Sequence, residues 1–77
     1  MSVSGVHSTD TLYSVKVDEV SATLLYVGEA AQGADPSAPV WRVRKLSTTG
    51  TVLSVQWADG NQHFDNVWSS RAALNYL

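Results

Sequence analysis

His63 stands between Asp59 and Asp65, an imidazole and two carboxylates close enough in sequence for general acid–base work. The same residues have a simpler reading. Asp59-Gly60-Asn61 is a turn signature, and Asp65 or Asn66 is suited to cap a following helix. The other histidine, His7, lies far off near the start of the chain, so neither histidine has the spaced partner that zinc requires. With no cysteine, thiolate metal sites, disulfides and Cys–His nucleophiles are excluded. The sequence holds no phosphate-binding loop and no Gly-x-Ser-x-Gly elbow. The expectation is therefore a protein that is not an enzyme, with no catalytic residue, no metal and no cofactor.

Three binding chemistries deserve the same weighing. Arg42, Arg44 and Lys45 beside Trp41 make a basic strand edged by an aromatic, a surface on which small β-barrels stack bases. Alternation explains the arginines more simply, as the wet face of a strand whose other face carries Trp41 and Val43. The net charge of −2 also lacks the basic excess of nucleic-acid modules. Three Trp and three Tyr could stack on sugars, but large aromatics are also how a small domain gains buried area. Finally, Trp57-Ala-Asp-Gly60 resembles the hairpin of Tudor- and SH3-like barrels, which hold peptides or modified lysine in aromatic cages.

These residues must be positioned by a β framework. Tyr13, Val15 and Val17 alternate with Ser14 and Lys16, the period of a half-buried strand. Asp18-Glu19 reads as a turn, and Val20–Ala30 as a second strand bent at Gly28. Gln32–Pro39 holds both prolines among small and polar residues and reads as a surface loop. Val40–Asp59 reads as a hairpin closed by a three-residue loop, Thr48-Thr49-Gly50, with Gly50 at a positive φ. That register pairs Val43 with Val55 and Trp41 with Trp57, and places Arg42 and Arg44 on the opposite face. The expected core is Trp41, Val43, Val55, Trp57 and Phe64. Steps of three and four through Phe64, Val67, Trp68, Arg71 and Leu74 predict a short helix over about 65–73.

The whole reads as a mainly β domain over 11–77: a small antiparallel meander or barrel-like sheet of about four strands with a short C-terminal helix. An extended N-terminal arm precedes it over 1–10. With 44% hydrophobic and 16% charged residues the composition is that of a folded chain. At this length a single core is marginal, and without disulfide or thiolate metal the remaining support is association. A homo-oligomer or an assembly subunit is expected. The first residues lack the pattern of a signal peptide, and no apolar run is long enough to cross a bilayer, so neither secretion nor a membrane is expected.

From Leu24 onward the chain resembles a group of small proteins encoded among the virion genes of tailed bacteriophages and prophages. The residues that carry this are Tyr26-Val-Gly-Glu-Ala30, Trp41-x-Val43-x-Lys45, Trp57-Ala-Asp-Gly-Asn61, Phe64-Asp-Asn-Val-Trp68, Arg71, Leu74 and Tyr76. The resemblance implies a structural component of a tailed-phage virion, made in the bacterial host cytoplasm, that self-associates and docks onto tail, fibre or head. It supplies no catalytic residues. Expected partners are other virion proteins, with no small-molecule substrate, no nucleic acid and no membrane. Trp68, Arg71 and Tyr76 are candidate interface residues. Capsid decoration is the nearest alternative, and an SH3-like adaptor or carbohydrate-binding module the next.

Overall fold

The computed structural model describes residues 12–77. The arm expected over 1–10 lies outside them. Four strands run in an antiparallel meander: β1 (Tyr13–Ser21), β2 (Leu24–Ala31), β3 (Pro39–Thr49) and β4 (Val52–Trp57). A two-residue strand, β5 (Asn66–Val67), pairs with the start of β3, and a 3-10 helix, Trp68–Ala73, follows it. The fold is mainly β, as the alternation and turn residues predict.

The turns show why the strands end where they do. Asp18 and Glu19 lie within β1 rather than at its end. The chain reverses at Ala22-Thr23, where the Ser21 hydroxyl accepts the Thr23 amide at 3.2 Å and offers the backbone a local alternative to the ladder. The β3–β4 loop is one residue shorter than the sequence suggests. Thr48 and Thr49 stay in the ladder, opposite Leu53 and Val52, and Gly50-Thr51 forms the connection. Gly50 has φ +63° at the first central position, and Thr51 has no positive φ, the pattern of a type II′ hairpin loop. A glycine with positive φ suits either loop length, so Gly50 alone does not choose between them.

That difference in register turns β4 over. Arg44 faces Trp57 and Leu46 faces Val55, while the Ala58 amide donates to the Val43 carbonyl at 2.9 Å. Trp57 and Val55 therefore share a face with Arg44 and Leu46, not with Trp41 and Val43. The predicted core is corrected at three positions. Val55 is 50% exposed, Phe64 is 39% exposed, and Trp57 is half-buried on the far side of the sheet. Trp41 and Val43 are fully buried, and the places given to Trp57 and Phe64 are taken by Ala58 and Trp68.

The C-terminal segment forms the cover. Pairing of Asn66 and Val67 with β3 keeps those residues extended, so the helix starts at Trp68 and neither Asp65 nor Asn66 caps it. Trp68 lies over Gly28, where a Cβ would run into its ring. Gly28 is therefore a site of close approach within β2 rather than a bend.

Candidate functional site

Strand alternation gives the sheet two faces with different fates. On the covered face, Tyr26, Ala30, Trp41, Val43 and Ala58 pack with Trp68, and Leu74 and Tyr76 close the side. The Trp41 and Trp68 rings tilt against each other with centroids 6.0 Å apart. The Trp41 indole N–H donates to the Asp35 carbonyl at 3.0 Å, and the Ser69 amide donates to the Pro36 carbonyl. The loop over 32–38 thus anchors the core and the cover together. Asp35 also accepts the Ser37 amide and hydroxyl, which lower its carboxyl pKa below the ordinary value.

The other face is open. The register lines up Val15–Glu29–Arg42, then Val17–Val27–Arg44–Trp57, then Glu19–Leu25–Leu46–Val55, with Leu53 beyond, opposite Thr48. Val15, Val17, Leu53 and Val55 are each at least half exposed. Among the described residues no strand or helix is laid over this face. Its outer strands leave apolar side chains in water, while Val27 is buried and Leu25 and Leu46 are half-buried between them; a domain normally buries such a face against a second layer.

One end of the open face carries paired charges, and Glu19 stands at the other. Glu29 Oε1 accepts from Arg42 Nε at 2.8 Å and from Arg44 Nη1 at 3.1 Å. Desolvation pushes the Glu29 carboxyl up, but hydrogen bonds and charge from the two arginines outweigh it and hold the pKa below its ordinary value. Arg42 also sits 4.7 Å from the Phe64 ring centroid, Phe64 stacks on Tyr13, and Arg44 lies 5.2 Å from the Trp57 ring. Tyr13, Ala31, Val40 and Phe64 line a shallow apolar cleft of about 350 Å³ at this corner. The arginines are thus tied to a carboxylate and to aromatic rings within the sheet.

The residues singled out for chemistry are dispersed. Arg42 and Arg44 lie on the open face, whereas Lys45 points to the covered one, 5.3 Å from the Tyr76 ring, so the three cations form no continuous patch. Asp59 and Gly60 form a turn with φ +61° and +71°, and the His63 amide donates to Asn61 Oδ1. Asp65 accepts from the Asn66 amide side chain. Among the described residues no three His, Asp or Glu gather as a metal site, and no helix is long and apolar enough to cross a membrane.

Trp68, Arg71 and Tyr76, expected at a contact with a partner, are engaged inside the chain. Arg71 Nε donates to Asp18 at 2.9 Å, and the Tyr76 hydroxyl donates to the Arg71 carbonyl at 2.7 Å. Burial drives the Tyr76 hydroxyl pKa strongly upward, with Tyr26 adding to it and Arg71 opposing. Tyr26 and Trp68 are buried, so these aromatics leave no open groove of the kind an adaptor needs. Sequence reasoning missed the open face. The signal that could have found it is Tyr13-x-Val15-x-Val17, whose alternation shows an apolar side but names no element to cover it.

No family model, curated protein or solved structure matches this chain.

Proposed function

We propose that this chain is a structural part that works by association: a small accessory protein of a tailed-bacteriophage particle that docks through its open sheet face. The observation that carries the reading is the exposed Val15, Val17, Leu53 and Val55 on the outer strands, with half-buried Leu25 and Leu46 and buried Val27 between them, a second apolar face on a domain whose first face is already covered. Burial of such a face gains roughly 25 cal/mol for each Å² removed from water, which suits a part that gains stability on assembly. The charges at its corner are already paired, so docking there requires little desolvation of free ions. The phage setting rests on the run of motifs from Tyr26 to Tyr76.

Peptide mass spectrometry of phage particles purified from the host that encodes the chain tests this. The protein is expected in the particle at a fixed ratio to the major structural proteins. A Val15→Lys, Val17→Lys double variant, still folded, is expected to be lost from the particle. Presence in the lysate without any in purified particles would contradict the virion reading.

A further inference from the structure

The two outer edges of the sheet are treated differently by the sequence. Edge strand β1 carries Lys16, Asp18 and Glu19, and its ladder is irregular between Glu19 and Ser21. Charges and bulges of this kind are how native sheets prevent a foreign strand from adding. Edge strand β4, Val-Leu-Ser-Val-Gln-Trp, has no charge, no proline, no glycine and no irregularity in its ladder. Its Val52, Leu53 and Val55 are all at least half exposed.

Hydrogen-bond accounting shows what that edge offers. The Trp57 carbonyl accepts the Leu77 and Gly60 amides, and Tyr76 bridges to Ala58, so the C-terminal segment covers one end of the β4 edge. Ala58 itself donates inward, to Val43. Alternation then sends the backbone N–H and C=O of Leu53 and Val55 outward, away from β3. Among the described residues no strand takes them.

We infer that this edge pairs with the same edge of a second copy. A two-fold antiparallel pairing centred on Ser54 sets Leu53 of each copy against Val55 of the other and exchanges their outward hydrogen bonds. No like charges meet, because β4 has none. The pairing also joins the open faces of both copies into one continuous apolar surface, since Leu53 and Val55 belong to that face. The inference rests on the reading of the chain as an assembly part, and it names the first partner. Because one short strand buries less than the roughly 800 Å² per partner of a standard interface, the pair should form and dissociate with concentration.

Light scattering over a concentration series, with amide hydrogen exchange read by NMR, tests the inference. A mass that doubles with concentration, with protection of the Leu53 and Val55 amides rising in parallel, is the expected result. Val55→Pro removes an outward N–H that makes no bond among the described residues and should abolish the doubling. Should that variant unfold, Leu53→Lys with Val55→Lys keeps the ladder to β3 and places like charges across the pair, with the same expected loss; folding is checked by circular dichroism. A dimer whose Leu53 and Val55 amides stay unprotected overturns the edge pairing but leaves the assembly reading standing. A monomer at every concentration overturns it too, and protection of those amides in the monomer would assign the edge to a segment of the same chain. Occupancy of phage particles is measured separately, so failure of the pair and failure of the virion reading give different results.

Discussion

On the covered face of the sheet, Trp41 and Val43 are fully buried under Trp68. One residue along the same strand, Arg42 and Arg44 belong to a face where Val15, Val17, Leu53 and Val55 remain in water. Both faces are mainly apolar and both are built from the same four strands. Among the described residues, what separates them is the segment from Asn66 to Leu77, which packs on one face. A sheet with one face closed by its own chain can fold, and on the proposed reading its other face serves assembly. Binding and stability are therefore expected to map to opposite sides of the same strands.

Substitutions on the two sides should separate accordingly. Trp41→Ala should have the largest effect, a loss of about 3–5 kcal/mol, because it leaves a cavity beneath Trp68 and removes the bond to Asp35. For a domain this small, that loss should abolish the cooperative transition in urea. Val17→Ala, on the open face of β1, should move the same urea curve by no more than about 0.5 kcal/mol. Comparable losses at the two positions would mean that both faces are buried in the free chain.

Gly28→Val should come next. Its side chain would push directly into Trp68, at an overpacking cost of about 1–3 kcal/mol, and partial release of the cover should shift Trp fluorescence to longer wavelength. Gly50→Val should follow at about 1–2 kcal/mol, measured by thermal melting, because a β-branched residue is strained at φ +63° even though open space surrounds the site.

The smallest effect lies at the charged corner. The pKa of Glu29 is held below its ordinary value of 4.5 by Arg42 and Arg44. A carboxylate depressed on folding adds stability that is fully present above its unfolded pKa and lost as pH falls through the folded one. Stability should therefore fall as pH drops below about 4.5, the unfolded value, and Glu29→Gln should flatten that part of a urea-midpoint profile.

How much of this was legible follows from which interactions are local. Strand alternation from Tyr13, the loop around Pro36 and the Asp59-Gly60 turn are written in short stretches, and they define the β class. The β3–β4 register is not, since Gly50 satisfies a two-residue or a three-residue loop equally well. The choice depends on whether Trp57 or Trp68 packs on Trp41, a long-range competition that Gly28 decides by making room for Trp68. Val55, Trp57 and Phe64 read as core because apolar residues on a small domain are expected to be buried there. That expectation fails where the described chain leaves a face uncovered. The candidate site was hidden for the same reason: a strand pattern shows that one side is apolar but not which other element, if any, will cover it.

The central claim is tested most directly by hydroxyl-radical footprinting of the protein free and in the assembled particle, read residue by residue by mass spectrometry. In the free chain, Val15, Val17, Leu53, Val55 and Phe64 should be oxidised while Trp41 stays protected. In the particle, the open-face residues should become protected as well, and half-buried Leu74, packed against the covered cluster, should change little. Open-face residues that react equally in both states, or a Trp41 oxidised in the free chain, would contradict the division of this sheet into a folding face and an assembly face.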